Sequence, residues 1–241
     1  MSGHSKWSKV KHQKESTDAA KGKIFTKMAG SIIIAVKEGG GMTDPASNFR
    51  LRLAIEKARS ANMPKENIER AIEKGKGHIG EGGLERVVYE AIGPGKIGII
   101  IEAATDNHQR TTAEVKNILD RGGGVLAAQG AFSYLFKYLG EIIIPKGTKS
   151  FDDLMSRLLE IGGEDLEEGE GKYKIYTLAG DLHKVKEVLE KDGLQILSAE
   201  LIYKPILNMN LTEEENKKAR ELIRKLEESA DVLKVYSNLS L

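Results

Sequence analysis

At about Leu84 the chain changes period, and that change divides what it can fold into. Before it, apolar residues recur at helical spacing; after it, β-branched runs alternate with helical stretches. Phe25, Met28, Ala29, Ile32, Ile33 and Val36 mark one face of an amphipathic helix. Gly39-Gly40-Gly41 ends it, because three glycines keep too much backbone freedom to stay helical. A second helix is expected from about Ala46 to Ala61, with Leu51, Ala54, Ile55 and Ala58 on one stripe. A third opens at Pro64, carries Ile68, Ala71 and Ile72, and ends at Gly75. Three short helices with short connections make a small bundle. Met1 to about Ala19 has no sustained apolar period and reads as an arm, disordered or ordered only by contact.

Beyond Leu84, Val87–Ile92 and Ile97–Ala104 read as strands joined by a Gly93-Pro94-Gly95 turn. A helix follows from about Thr112 to Arg121. Thr111 and Glu114 offer a capping box, and Gly122-Gly123-Gly124 ends the helix. Ala131–Tyr138 and Glu141–Pro145 read as two strands, and Phe151–Ile161 as a helix capped by Ser150. Then come strand Tyr173–Leu178, helix Leu182–Lys191 and strand Ile196–Tyr203. A short strand near Ile206–Met209, a helix from Glu213 to about Glu228 with a Thr212/Glu215 capping box, and strand Val232–Tyr236 close the chain. Phe132 to Lys204 holds enough elements for a self-contained α+β sandwich. Leu84–Ala131 and Ile206–Leu241 are each too short to cover both a helix and a sheet alone, so they must combine. The expected fold is therefore α+β multidomain: an N-terminal small helical bundle followed by two α+β sandwich domains, the third inserted into the second. Its boundaries are 1–80 for the arm and bundle, 81–131 with 205–241 for the discontinuous domain, and 132–204 for the insert.

Composition excludes several chemistries. The absence of Cys removes disulfides, thiolate metal sites and a Cys nucleophile. The longest apolar run, Ile32–Val36, is too short to span a bilayer, and no secretory leader is expected, so no membrane partner and a cytoplasmic location follow. His4, His12, His78, His108 and His183 show no metal-ligand pairing, and no metal site is expected. Gly75-Lys76-Gly77-His78-Ile79-Gly80 matches a dinucleotide fingerprint by letter only. It follows a helix rather than a strand, which removes the mechanical basis for seating a phosphate, so no cofactor is expected.

Charge is partitioned. The formal net charge is only +1, yet residues up to His78 hold sixteen basic against eight acidic residues, a net +8, and the remainder carries −7. Within Met1–Lys27 the net is +5, and the lone Trp7 sits among the lysines. Lysines displace condensed counterions from phosphates, and an exposed ring can stack on a base. The candidate nucleic-acid contacts are Lys6, Trp7, Lys9, Lys11, His12, Lys14, Lys21, Lys23 and Lys27 in the arm and first helix, with Arg50, Arg52, Lys57 and Arg59 in the second. Arg110 joins them. It lies in Thr105-Asp106-Asn107-His108-Gln109-Arg110-Thr111, a strand-to-helix turn of the kind that often faces a ligand. Asp106 and His108 there could pose as acid and base, but no nucleophile or companion carboxylate accompanies them, so no catalytic residue is expected. The bundle does not read as a helix-turn-helix with a base-reading helix. The acidic α+β portion is a candidate protein-partner surface.

Gly3-His4-Ser5-Lys6-Trp7, Gly22-Lys23-Ile24-Phe25-Thr26-Lys27, Glu38-Gly39-Gly40-Gly41, Arg50-Leu51-Arg52, Ala54-Ile55-Glu56-Lys57-Ala58, Asn62-Met63-Pro64-Lys65 and Thr105-Asp106-Asn107 resemble the YebC/PmpR family over essentially the whole chain. Phe49 stands where relatives commonly have proline. The resemblance implies a non-enzymatic cytoplasmic protein of three domains. Members are described as DNA-binding transcriptional regulators. Others, including the mitochondrial translational activator of cytochrome oxidase subunit 1, act in translation at the ribosome, with relief of stalling at proline-rich stretches among the roles. The expected partner is therefore DNA, or ribosomal RNA with the ribosome.

Overall fold

The computed structural model describes the backbone of residues 3–77, 83–147 and 149–240, and their side chains from Ala20 onward. The fold is α+β, with helices first and two four-stranded sheets after them. Helices α1 (Gly3–Glu38), α2 (Phe49–Ser60) and α3 (Lys65–Lys76) are followed by strands β1 (Glu85–Ile92) and β2 (Gly98–Thr105), helix α4 (His108–Arg121) and the two-residue strand β3 (Val125–Leu126). Strand β4 (Phe136–Pro145), helix α5 (Phe151–Ile161), β5 (Gly163–Gly169), β6 (Lys172–Leu178), α6 (Leu182–Lys191) and β7 (Ser198–Pro205) come next. Helix α7 (Glu213–Glu228) and strand β8 (Val232–Ser237) complete the described chain.

One sheet has the order β3-β1-β2-β8 and the other β5-β6-β4-β7. All four strands of the second sheet thus lie between β3 and β8 in sequence. In that sheet β4 is central. It pairs antiparallel with β6 through Ile142↔Ile175 and with β7 through Leu139↔Ile202. Ile142 and Ile144 alternate into the core, as period-two burial requires, alongside Leu154 and Leu158 of α5 and Leu182, Val185 and Leu189 of α6.

Two compact units can be distinguished. One is Met1–Val88 with Ile101–Ile118 and Ile223–Val235; the other is Tyr89–Ile100 with Leu119–Leu222 and Tyr236–Leu241. In the first, Ile32, Ile33 and Val36 of α1 pack with Leu51, Ile55 and Ala58 of α2 and Ile68 and Ala71 of α3, the stripes expected from the sequence. Helix α1 stops through paired bonds from Gly41 N to Val36 O (2.9 Å) and Gly40 N to Lys37 O (2.9 Å). Gly40 and Gly41 both have positive φ, which an L side chain resists. Gly75 lets α3 lie against α1, since a Cβ there would stand 2.8 Å from Val36 Cβ. In the second unit, the buried Glu90 carboxylate accepts N–H bonds from Gly130 (2.7 Å), Phe132 (2.6 Å) and Ser133 (3.1 Å), fixing the chain on its way into β4.

Several expectations are corrected. From Gly3 the backbone of the expected arm is helical and continuous with the first bundle helix, in a stretch where Ser5–Lys21 has neither Pro nor Gly to break it. Helix α2 starts at Phe49 rather than Ala46, because Asp44 folds Ala46 and Ser47 into a side-chain-bonded turn and Asn48 caps the helix at Leu51 N. The two strands expected over 131–145 are one, β4, preceded by a 3-10 turn at Ser133–Leu135. Gly140 lies within the strand and makes room for Thr177 and Leu182 beside it. Strand β5 lies outside every range read from the sequence because its residues are mostly acidic. Near residue 209 only a single bridge forms, Met209 to Leu239. Helix α4 starts four residues earlier than expected. Asn107, not Thr111, caps it, accepting from Arg110 N at 3.0 Å.

Candidate nucleic-acid interface

The proposed contacts divide according to what already holds them. The side chains of Lys6, Trp7, Lys9, Lys11, His12 and Lys14 lie outside the described residues, as does His78; only the helical backbone carrying the first six is described. Lys21 and Lys23 are exposed on α1 and meet no carboxylate among the described residues. Lys27, one turn further on, differs. Half-buried, it donates to the Glu227 carbonyl; burial pushes its ammonium below the ordinary lysine value, and Glu227 only partly offsets that. An ammonium so placed is poorly disposed to reach a phosphate.

On α2 the four cations do not form one surface. Residues seven apart nearly coincide in azimuth, whereas residues two apart lie on opposite sides. Arg50 and Lys57 therefore share one face, and Arg52 and Arg59 another. Arg50 pairs with Glu38, which also faces Arg86 at 3.8 Å; Arg86 in turn pairs with Glu102. Arg52 is half-buried and lies over the Phe49 ring at 5.6 Å. Lys57 and Arg59 are exposed. Periodicity gives no sign of the Glu38 hub, because Glu38 sits at the helix end where the apolar stripe stops.

Helix α3 pairs cations with its own carboxylates: Lys65 with Glu69 at 3.5 Å, Arg70 with Glu66 at 3.7 Å and Lys76 with Glu73 at 3.8 Å. Lys74 is exposed and takes part in no such pair among the described residues.

Arg110 is gripped by two carboxylates, Asp106 and Asp231, each at 2.9 Å, and both hold its guanidinium charged. Asp231 also accepts from Thr111 Oγ1 at 2.6 Å, and Thr111 meets Thr105 Oγ1 at 2.7 Å. The polar residues of the β2–α4 turn thus knit β2, α4 and the start of β8 together. His108 bonds Glu85 at 2.9 Å, and that bond holds the Glu85 carboxyl below its ordinary range. Asp106 and His108 consequently answer to different partners. Among the described residues no group of His, Asp and Glu is placed to hold a metal ion, and no helix is long and apolar enough to cross a membrane.

Comparison with known proteins follows this division of the chain. Residues 5–78 match the model for the N-terminal domain of TACO1/YebC proteins, and residues 84–239 match the model for their second and third domains. A probable transcriptional regulatory protein of Caldanaerobacter subterraneus subsp. tengcongensis is 46% identical over 243 residues, covering 100% of this chain and 99% of the relative. A probable transcriptional regulatory protein of Aquifex aeolicus is 43% identical over 242 residues, covering 100% of this chain and 96% of the relative. The crystal structure of a conserved hypothetical protein from Aquifex aeolicus superposes with a TM-score of 0.82 at 43% identity, over 92% of this chain and 91% of that one. With both models matched and relatives aligned end to end, the chain belongs to the TACO1/YebC family.

Proposed function

We propose that the protein is a nucleic-acid-binding regulator, and specifically a DNA-binding transcriptional regulator that engages its target through the basic N-terminal arm and helical bundle. The observation that carries this reading is the net +8 held by the first 78 residues, with Lys21, Lys23, Lys57 and Arg59 exposed there. The names borne by the relatives point the same way. Phosphate contacts of this kind position a protein on nucleic acid without reading its sequence. Arg110 contributes through the β2–α4 turn only if a phosphate displaces one of its two carboxylates.

Helix α3 also supports a second reading. Three of its cations, Lys65, Arg70 and Lys76, lie near its own glutamates, and only Lys74 stands apart, which leaves it few side chains to read base edges. A ribosome-associated translation factor that grips ribosomal RNA by charge and shape, and relieves stalling at proline-rich stretches, needs no such helix. In both readings the protein is cytoplasmic and non-enzymatic and uses no cofactor; the one acid–base pair in the turn is divided between Arg110 and Glu85. The acidic α+β portion, which carries the −7, is the surface offered to a protein partner. The chain divides into 1–80, 81–131 with 205–241, and 132–204, a reading supported by the strand membership of the two sheets.

Crosslinking the tagged protein in cells, with recovered DNA and RNA sequenced in parallel, tests this. Sharp promoter peaks over diffuse RNA are expected. Discrete ribosomal RNA positions over diffuse DNA would replace the first reading with the second, and enrichment of neither would sink both.

A further inference from the structure

We propose that a cleft walled by α1, α3 and the β2–α4 turn is a single-nucleotide pocket. It receives one nucleoside phosphate, its base unstacked, with the phosphate on lysine and arginine and the base on an apolar floor. The inference rests on the nucleic-acid reading above and adds the form of the ligand.

The cleft encloses about 560 Å³, within the span of small-ligand sites. Its floor is Ile33, buried in the bundle core, and Leu84, half-buried against that core. Around them stand Lys37 of α1, Arg70 and Lys74 of α3, and Asp106 of the turn, whose carboxylate also pairs with Arg110 at 2.9 Å. Glu73 also lines it, with Lys76 at 3.8 Å, and Gly77 and Gly83 complete the lining. The three cations are available. Lys74 is exposed without an ion pair among the described residues, and Lys37 is half-buried at the cleft wall. Arg70 reaches Glu66 only at 3.7 Å between side chains that are both largely exposed, a contact that contributes little.

This combination selects its ligand. An inorganic anion would leave Ile33 and Leu84 facing water, and an apolar ligand would desolvate three cations without compensation. A nucleotide satisfies both halves, and Asp106 can accept an N–H from a base edge. A base stacked within a duplex cannot reach a recessed floor, so the strand must be single or the nucleotide turned out. The source is either a strand or a free mononucleotide.

Binding of the full-length protein to a labelled single-stranded RNA octamer, to a DNA duplex and to AMP and GMP tests this. Lys37→Glu and Lys74→Glu should each weaken octamer binding tenfold or more and weaken duplex binding by a clearly smaller factor. The methyl signals of Ile33 and Leu84 should shift on titration with the octamer. Displacement of the octamer by a mononucleotide supports the pocket with a free nucleotide as ligand; methyl shifts with the octamer alone support it with a strand. Octamer binding that ignores both charge reversals and leaves the methyl signals in place overturns the pocket while the nucleic-acid reading stands. If octamer, duplex, AMP and GMP all fail to bind, both fall; if only AMP or GMP binds, with Ile33 and Leu84 methyl shifts, the pocket stands and the nucleic-acid reading falls.

Discussion

Glu90 is 6% exposed and sits within β1, where alternation reveals a strand but nothing about which side chain holds a neighbouring segment. Its two oxygens accept three N–H groups from residues 130–133, so the carboxylate acts as a staple on a connection without regular structure of its own. Glu90→Gln keeps one acceptor oxygen and turns an amide towards an N–H that needs one. Bonds to a charged acceptor are worth ~1.5–3 kcal/mol each. The donors are partly exposed and water can recover some of the loss. A destabilisation of about 1–2 kcal/mol is therefore expected on urea denaturation, and about 3 kcal/mol for Glu90→Ala, which deprives all three donors. Equal stability of both variants with the parent would show that the connection does not depend on the staple.

At the scale of the element, helix α4 separates what the sequence reveals from what it hides. Thr111 and Glu114 have the spacing of a capping box, and the same spacing at Thr212 and Glu215 does form one, with Glu215 Oε2 3.2 Å from Thr212 N. The difference is tertiary: Asp231, distant in sequence, takes the Thr111 hydroxyl, and Asn107 starts the helix a turn earlier. Asn107→Ala should accordingly cost about 1 kcal/mol, the usual loss of an N-cap, while Glu114→Gln should change thermal stability by less than about 0.5 kcal/mol. The reverse ranking would restore the capping box. The same division recurs elsewhere. The bundle stripes and the helices α5, α6 and α7 were legible because burial writes a period into the sequence. Strand β5 was not legible, since it is an edge strand of mostly acidic residues, and β4 was broken in two because a glycine that admits Thr177 looks like a glycine that turns a chain. The candidate site was legible as charge but not as geometry. Counting lysines cannot show that Lys27 turns inward to a carbonyl or that Arg50 belongs to Glu38.

For the molecule as a whole, the +8 of the first 78 residues and the −7 of the rest nearly cancel, so any attraction to a polyanion must be local to the N-terminal third. Within that third, the described side chains of α1 that join the bundle core begin at Phe25, whereas Lys6, Lys9, Lys11 and Lys14 precede them on the same helix. Binding and folding are therefore separable along a single element. Removing Met1–Ala19 should shift the thermal midpoint by no more than a couple of degrees, a change of well under 1 kcal/mol. Its effect on duplex binding should be large and dependent on salt. Each phosphate contact adds about 0.9 to the slope of log K against log salt, so loss of the four lysines should lower that slope by about 3.5. Anisotropy titrations of the parent and the truncated chain across a salt series measure this directly. If the slope is unchanged while affinity falls, the arm acts through contacts other than phosphate pairing, with Trp7 the first residue to substitute. If slope and affinity are both unchanged, the phosphate-binding surface lies on the exposed cations of α1 and α2, at Lys21, Lys23, Lys57 and Arg59.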